Sequence, residues 1–563
     1  MYRVLVIVIC LFLVIQNKSV LGQKSSYRIN TAITLIDAND PIYQSVKPGD
    51  TLLFVAGNRD HLLIKNFVGK QGKPIVMMNT EGVIIIDTQN YYGIAVQNCR
   101  YIKFTGSGDP TQKYGFQIKR VGNGAGMGIG ELSSDFEIDH VSIENTLIGA
   151  LYAKTDPDCT LLSVRGKFTQ YNTNIHDNFI SNSGNEGIYV GSSFYDGQAI
   201  QCNAQNLLLL PGLLDGVKIY NNIVTNSGWD AIQVSCATKN CEIYNNTIQF
   251  DSQAEIPNQM SGILIGGGTR CDCYNNFISQ GKGCGIECHG LGGCRIFNNI
   301  IVDAGLNFAP NDLTQMKHGI FISDLTNLSD STLVIKYNDI INPKSDGIRF
   351  SSLKSTNNLV ASNVIINPGN FDYYQNGNTS FKGIDSYIMV PNSATEVVVQ
   401  NNYLARNSNL AGFSSQKMDS ANDYIPVISS PLIDQAETDK TIHFDFEGNP
   451  RPFGPKPDIG AFEVEYDIAA STPLESRIDY NQFKLLKNPV TDLLIISIPR
   501  PSNSPIFVNI YNLIGEMIFQ SKQHQLPSAS PTVQVDLSAI PPGTYIYTVR
   551  TDQDAGSGKF IKR

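Results

Sequence analysis

Apolar and polar residues alternate in short runs between residues 178 and 402, and one phrase recurs with them. Each copy starts with asparagine and continues into a short, mainly apolar run, as in Asn178-Phe-Ile-Ser and Asn363-Val-Ile-Ile. The leading residues are Asn178, Asn222, Asn246, Asn276, Asn299, Asn338, Asn363 and Asn402. The three shortest steps between them are 23 to 25 residues, and the longer steps fit the same unit with a loop added. A repeat of this length predicts a solenoid of stacked coils.

The alternation around each asparagine predicts at least two strands per coil. Three residues before the asparagine, period-two alternation assigns a side chain to the inward face of a first strand. These side chains are Ile175, Ile219, Ile243, Cys273, Ile296, Ile335, Val360 and Val399. A second strand opens with a small residue, as in Gly187-Ile-Tyr-Val and Gly285-Ile-Glu-Cys. We expect the asparagine to sit in the bend, bonding the next coil with a left-handed backbone.

Repeated coils of this kind give parallel sheets in which like residues stack into ladders. On this pattern, residues 30 to 410 resemble the right-handed parallel β-helix family, the pectate-lyase-like fold. The phrases Lys47-Pro-Gly-Asp-Thr-Leu and Gly72-Lys-Pro-Ile resemble the opening of secreted members, including alginate- and chondroitin-cleaving lyases. The resemblance implies the fold alone, because hydrolases, lyases, epimerases and adhesins share it. The calcium-binding acid cluster of those lyases has no counterpart motif here. Calcium is possible as a cofactor but no motif predicts it, and no other metal is expected.

Both ends of the chain predict export. Residues 1–22 carry Arg3, an apolar run and a polar patch, which is the pattern of a signal peptide and too short for a membrane span. Residues 23–463 are predicted to form the all-β solenoid, with an N-terminal cap and a C-terminal closing segment that caps the last coil. Residues 464–482 are predicted to be a linker. Residues 483–563 alternate in short strands between turn residues, which predicts a small β-sandwich.

The last segment carries a second resemblance. Its phrases Leu486-Lys-Asn-Pro-Val and Gly543-Thr-Tyr-Ile-Tyr are similar to the C-terminal sorting domain of the Bacteroidetes type IX secretion system. This resemblance implies export across the outer membrane, with the secretion machinery as the partner of residues 483–563. The protein is therefore expected to be secreted or held on the cell surface.

Cysteine is concentrated in the middle of the repeat. Of the 11 cysteines, Cys10 lies in the predicted signal peptide. Cys241, Cys271 and Cys294 fall at the same inward position of successive coils. Because coils stack about 4.8 Å apart, stacked thiols and interior disulfides are both feasible. This phase favours a structural role for the cysteines over a metal site.

One row of polar residues opens the second strand: Glu186, Asp230, Ser261, Cys284, His318 and Asp346. Glu186 and Asp230 fall on adjacent coils, so we expect their carboxyl groups about 5 Å apart. This spacing is typical of a retaining glycosidase, in which one group is the nucleophile and the other the acid/base. Trp229, the only tryptophan, is predicted to stack on a sugar ring. The alternative is that both acids cap turns by bonding backbone amides.

A second row points outward from the same strands: Tyr189, Gln233, Leu264, Glu287, Phe321 and Arg349. His289 points the same way as Glu287, two residues along one strand. An acid, a base and the Arg349 guanidinium on one face suit a polysaccharide lyase, which binds a uronate and abstracts a proton. Tyr189 and His318 are predicted to contact the substrate. The alternative is that these are ordinary polar residues of an exposed sheet.

Two classes of function follow. The long parallel face, the loop insertions and Trp229 predict a secreted carbohydrate-active protein that binds an extracellular polysaccharide and cleaves it, as a lyase or a glycoside hydrolase. The alternative is a non-catalytic surface or adhesion protein whose solenoid only displays loops. The formal net charge of −9 argues against nucleic acid as a partner, and no segment is expected to span a membrane.

Overall fold

The computed structural model describes residues 25–306, 308, 316–326, 328–329, 331–369, 387–415, 417 and 419–466, and then 484–497, 506–512, 517–523, 532–550 and 555–563. The chain forms two compact units, Met1–Glu465 and Tyr466–Arg563. The predicted signal peptide and most of the predicted linker lie outside the described residues.

The first unit consists of coils whose strands pair in parallel with the equivalent strands of the next coil, forming three sheets. Sheet I contains Leu35–Asp37, Leu62–Lys65, Tyr92–Gln97, Ala125–Gly130, Leu151–Ala153, Ile188–Val190, Ile232–Val234, Ser261–Ile265, Cys284–Cys288, Ile320–Ile322, Ile348–Phe350 and Ile388–Met389. Sheet II contains Ser26–Ile29, Thr51–Arg59, Ile75–Thr88, Arg100–Thr105, Ser134–Asp139, Thr169–His176, Leu213–Tyr220, Ala237–Tyr244, Cys271–Tyr274, Arg295–Phe297, Val334–Lys336, Asn358–Ala361 and Val397–Gln400. Sheet III contains Phe116–Val121, Val141–Thr146, Phe179–Ser183, Ile223–Ser227, Thr247–Gln249, Phe277–Ser279, Ile300–Val302, Asp339–Ile341, Val364–Ile366 and Tyr403–Ala405. The long strand Ile75–Thr88 joins sheets II and III.

The inward faces of the three sheets enclose one apolar core, as predicted from the alternation. Seven of the eight side chains assigned inward, Ile175 to Val360, are buried. The eighth, Val399, is 45% exposed, so its predicted burial is wrong. Its strand is the last of sheet II, and no further coil of the described chain stacks on it.

The asparagines form a continuous hydrogen-bonded ladder through the bend between sheets II and III. Asn246 donates from its backbone N–H and its Nδ2 to the Oδ1 of Asn276, at 3.1 and 3.0 Å. Its Nδ2 also reaches the carbonyl oxygens of Ile219 and Tyr244. The bond to the next coil is as predicted, but the left-handed backbone belongs to the preceding residue, such as Asn245 with φ 54°. The bend therefore needs two residues, one for its shape and one for its hydrogen bonds.

Residues after the last coil pack on the outer face of sheet III. Ile300, Ile341 and Val364 point out of the coils and form a second apolar cluster with side chains such as Leu432 and Phe462. The predicted closing segment thus covers the side of the last coils, and the end of the solenoid at Val399 stays exposed.

A buried ion pair within the closing segment packs against the coils at Tyr337. The Arg451 guanidinium donates to Glu463 at 2.9 Å and lies over the ring of Tyr337 at 4.1 Å. Both charged side chains are buried, so each charge is stabilised by the other in place of water.

The cysteines divide into core thiols and one disulfide that joins two loops. Cys241 and Cys271 stack in the core with their sulfur atoms 2.7 Å apart, and burial raises the pKa of the Cys271 thiol. The disulfide links Cys159 to Cys202. Cys202 ends the first strand of the antiparallel hairpin Gln198–Cys202 and Gln205–Leu209. The inward stacking is as predicted, but the repeat gave no indication of the disulfide.

The second unit packs two antiparallel sheets face to face, as expected for a small β-sandwich. One sheet contains Lys484–Leu485, Leu493–Ser497 and Thr532–Asp536. The other contains Met517–Gln523, Ile506–Tyr511, Gly543–Arg550 and Ala555–Lys562. Leu494 and Ile496 of the first sheet share a core with Val508 and Phe560 of the second.

We predict that Asn276→Ala lowers the free energy of unfolding of the first unit by at least about 3 kcal/mol, because several buried partners lose their hydrogen bonds together. The single tryptophan, Trp229, reports this unfolding by fluorescence in a urea titration. The control is Asn206→Ala in the exposed hairpin, where we expect a change below about 0.5 kcal/mol. Equal effects of the two substitutions would contradict a stabilising ladder.

Candidate functional site

The outward side chains of sheet I form one row along the solenoid. Strand pairing aligns Tyr189, Gln233, Leu264, Glu287, Phe321 and Arg349 in that order. Towards the N-terminus the same row continues through Tyr152, Gly128, Ala95 and Leu63. The register is the one predicted, and the roles assigned to these residues stay predictions.

Glu287, His289 and Ser323 form a connected polar group on this face. The Nε2 of His289 lies 3.1 Å from the Oε2 of Glu287, and its Nδ1 contacts the hydroxyl of Ser323. The side chains of Glu287 and His289 are 18% and 17% exposed, so both reach solvent. Burial alone would raise the pKa of Glu287, but hydrogen bonds to His289 and Cys284 and the charge of His289 hold it below its ordinary value. Glu287 is therefore an ionised carboxylate at neutral pH.

Asp230 and Glu186 lie in adjacent coils beside this row, and both are buried. Glu186 is 3% exposed and accepts a hydrogen bond of 2.9 Å from the hydroxyl of Tyr152. Asp230 is 1% exposed and accepts one of 2.6 Å from the hydroxyl of Ser261, while its Oδ2 has no hydrogen-bond partner. Both acids thus accept hydrogen bonds from side-chain hydroxyl groups. The turn-capping alternative considered only hydrogen bonds from backbone amides.

The pKa of Asp230 depends on both Glu186 and Glu287. Burial raises this pKa well above its ordinary range, and the negative charges of Glu287 and Glu186 raise it further against the hydrogen bond from Ser261. Burial also raises the pKa of Glu186. The sequence suggested two separate sites, whereas the charges of Glu186 and Glu287 both raise the pKa of Asp230, so we treat the three acids as one cluster. Within this cluster Asp230 favours its protonated form and Glu287 its ionised form.

Arg349 belongs to a neighbouring group two coils from Glu287. Its guanidinium donates to the Oδ2 of Asp346 at 3.1 Å, and the Nδ1 of His318 lies 3.3 Å from the same oxygen. The ring of Phe321 lies between the groups, with centroids 5.9 Å from His289 and 5.5 Å from His318. Arg349 is thus in the same row as Glu287 but is held by Asp346.

The remaining residues predicted to bind substrate differ in exposure. Tyr189 and His318 are buried, and the Tyr189 hydroxyl is hydrogen-bonded to Ser193. Trp229 is half-buried in the turn before Asp230. Of these three, only Trp229 has appreciable exposed surface. The substrate-binding roles of all three stay predictions.

A groove of about 840 Å³ lies on the N-terminal coils of sheet I, and Tyr152, the hydrogen-bond partner of Glu186, is among its lining residues. Its floor contains the small outward residues Ala95 and Gly128, and Tyr152 lines it at the side of Glu186. The loop 155–163 forms a wall, and the Cys159–Cys202 disulfide ties this loop to the hairpin. The volume of the groove is in the range of ligand pockets, and its lining reaches the coil before Glu186.

Sequence reasoning missed Tyr152, Ser323 and Lys154. Extending the outward row one coil back from Tyr189 identifies Tyr152, and moving one coil on from His289 identifies Ser323. The Lys154 ammonium lies 4.5 Å from the centre of the Tyr189 ring and 3.0 Å from Asp156. Its position depends on a loop conformation, which strand periodicity does not encode.

One group of potential metal ligands occurs among the described residues, on sheet II. Atoms of Glu137, Asp139 and His176 lie within 4.8 Å of one another. The ammonium of Lys103 contacts Glu137 and lies 2.9 Å from Asp139, so a cation of the protein already balances these acids. Nothing in this arrangement requires a metal. The calcium cofactor that the sequence left possible stays untested.

Comparison with protein families agrees with this architecture. Residues 199–403 match the model described as right handed beta helix region, and residues 487–563 match the model described as secretion system C-terminal sorting domain. The fold therefore defines a right-handed parallel β-helix protein, as predicted. The chain ends in a sorting domain, which indicates export by type IX secretion to the cell surface or the medium. Within the described residues, no helix has the length and apolarity to cross a membrane.

Several solved structures are similar at low identity. A pectate lyase, Pel9A, is 13% identical, with 78% of this chain and 98% of that chain covered and a TM-score of 0.36. An alginate lyase from Paenibacillus is 14% identical over 55% and 93% of the chains, with a TM-score of 0.32. A bacteriophage CBA120 tailspike protein is 10% identical over 94% and 76%, with a TM-score of 0.37. At these values none of them supports an argument about this chain. No curated protein matches it.

We predict that Asp230→Asn stabilises the protein at neutral pH. An aspartate with a raised pKa in the folded state binds its proton more tightly when folded, so its contribution to stability is present below about pH 4 and is lost as pH rises through the folded pKa. The melting temperature of Asp230→Asn should therefore exceed that of the wild type at pH 8 and approach it at pH 4. The exposed control Glu396→Gln should show no such trend. A gain that does not change with pH would contradict the shift.

Proposed function

We propose that this exported β-helix protein binds an extracellular polysaccharide along sheet I and hydrolyses it at Glu287 and Asp230. The observation that supports this proposal most is the opposite direction of the pKa shifts of Glu287, on the outward face of sheet I, and Asp230, buried beside it. Two carboxyl groups with separated pKa values are what acid/base cleavage of a glycosidic bond requires.

The two carboxyl groups take distinct roles. Glu287 has a lowered pKa, is partly exposed and is oriented by His289, so its role in this proposal is to accept the proton of the attacking water. Asp230 has a raised pKa and an oxygen without a hydrogen-bond partner, so its role in this proposal is to protonate the leaving sugar oxygen. Substrate binding must open access to Asp230, which is buried in the free protein. Glu186 contributes negative charge that keeps Asp230 protonated.

The spacing of the coils predicts the stereochemistry. Asp230 is in register with Cys284 two coils on, and Glu287 lies three residues further along that strand, so the two backbones are roughly 14 Å apart. The long side chains must bring the two carboxyl groups closer than this. Carboxyl groups separated by about 6.5 to 9.5 Å leave room for a water molecule and invert the anomeric centre. We therefore favour inversion through Asp230 and Glu287 over retention through Glu186 and Asp230.

The test is a screen of neutral and anionic polysaccharides, following reducing ends and ultraviolet-absorbing unsaturated ends in the same reactions. We expect reducing ends without unsaturated ends and a bell-shaped pH dependence of kcat/KM. Glu287→Gln should remove the acidic limb and Asp230→Asn the alkaline limb, each lowering kcat by about 10²- to 10⁴-fold. The exposed control Glu396→Gln should retain full turnover.

Three outcomes would contradict the proposal. Unsaturated ends would mean β-elimination and would favour His289 with Arg349. Full turnover in both carboxyl variants would place cleavage elsewhere. No product on any polysaccharide would favour the adhesion protein.

The contact between Ser323 and His289 favours one second candidate, the removal of ester groups from a polysaccharide. A hydroxyl, an imidazole and a carboxylate in hydrogen-bonding sequence can activate a serine nucleophile. The Ser323 oxygen would attack the ester carbonyl, and His289 would pass the serine proton to the departing sugar alkoxide. Water would then hydrolyse the acyl-serine.

Ser323→Ala separates the two candidates. Under the esterase proposal this variant loses acetate release from an acetylated polysaccharide by at least about 100-fold, because the nucleophile is gone. Under the hydrolase proposal it keeps most of its formation of reducing ends. Acetate release that persists in Ser323→Ala would exclude the serine mechanism.

A further inference from the structure

A second cavity, of about 830 Å³, lies on a different face of the solenoid from Glu287. One wall is the outer face of sheet III, with Thr247, Gln249 and Phe277. The other wall is the closing segment, with Phe446 and Glu447 among its residues. The volume is in the range of about 300 to 1,000 Å³ that ligand pockets occupy.

Asn275 lines this cavity and joins its two walls. The residue is 6% exposed, and its Nδ2 donates to the carbonyl oxygen of Asp445 at 3.3 Å. The Oδ1 of Asn275 has no hydrogen-bond partner within the protein.

The wall opposite is held by Asp445, so the cavity does not depend on loose side chains. The Asp445 carboxylate accepts hydrogen bonds from the backbone N–H groups of Glu447, Asn449 and Glu463, at 2.9, 2.7 and 2.9 Å. The ring of Phe446 packs on Phe462 with centroids 5.3 Å apart. The two aromatic side chains and the amides are therefore presented on a prepared surface.

The lining chemistry selects the kind of ligand. The cavity contains Asn and Gln amides, Ser and Thr hydroxyls, two phenylalanine rings and the carboxylates of Asp419 and Glu447. The residues that line it include no lysine, arginine or histidine. Acceptors and aromatic surface suit a polyhydroxylated ring, and the carboxylates repel an anion.

We propose that this cavity is a binding site for a neutral oligosaccharide, separate from the sheet I cluster. It serves to hold the exported protein on a neutral glycan, raising the local concentration of chain near sheet I. The site itself does not rest on the hydrolase proposal, because its residues belong to sheet III and the closing segment.

The test is calorimetric titration of the full exported chain carrying Glu287→Gln, to prevent turnover. The probes are β-1,4-linked hexasaccharides of glucose, xylose and mannose, with hexagalacturonate as the anionic comparison. We expect at least one neutral hexasaccharide to bind and hexagalacturonate not to bind at this cavity. Adding Phe446→Ala or Gln249→Ala should raise Kd at least tenfold, and Gln249→Ala is the safer variant for folding because its side chain lies on the sheet surface.

The control Asn206→Ala should leave Kd unchanged. Binding that Gly128→Trp abolishes, and that Phe446→Ala and Gln249→Ala leave intact, would place the sugar in the sheet I groove and overturn the proposal. Absence of binding by all three neutral hexasaccharides would also overturn it. Both results can be distinguished from a failure of the hydrolase, which is measured by product formation in the protein without Glu287→Gln.

Discussion

Hydrogen bonding between successive coils is the constraint on which the rest of this structure depends. Every strand of sheets I to III pairs in parallel with its equivalent one coil on, and the asparagine ladder repeats this bond inside the bend. This pairing fixes the register between neighbouring coils, so side chains at equivalent positions stack. The rings of Tyr220, Tyr244 and Tyr274 show the result, with centroids 4.9 and 5.0 Å apart. The same stacking aligns Glu287 with the outward row and places Asp230 two coils away.

Burial then makes similar side chains behave differently. Glu287 and Asp230 are both carboxylic acids beside the same sheet, yet their pKa values shift in opposite directions. Glu287 has an imidazole partner and some solvent, whereas Asp230 has one hydroxyl donor and an unpartnered oxygen. Chemistry on a solenoid can thus arise from local differences within a regular row.

Period and phase were enough to predict the rows, the inward core and the outward positions of Glu287 and His289. They were not enough to predict which acids are buried, because the loops that cover sheet I vary in length from coil to coil. The Cys159–Cys202 disulfide and the position of Lys154 depend on such loops. Val399 shows a further limit, since a repeat pattern predicts burial for every coil but the last coil lacks a neighbour. The apolar residues Ile300, Ile341 and Val364 indicated that another segment covers sheet III, because alternation places them on its outer face. The closing segment is the segment that covers them.

The central claim is that sheet I binds a polysaccharide across Asp230 and Glu287, and a crystal structure tests it most directly. The exported protein carrying Glu287→Gln would be soaked with an oligosaccharide from whichever polysaccharide the screen identifies. The account predicts a glycosidic oxygen within hydrogen-bond distance of Asp230, with the sugar chain continuing along sheet I past Tyr152. A sugar chain found only away from sheet I, with Asp230 still covered, would contradict it.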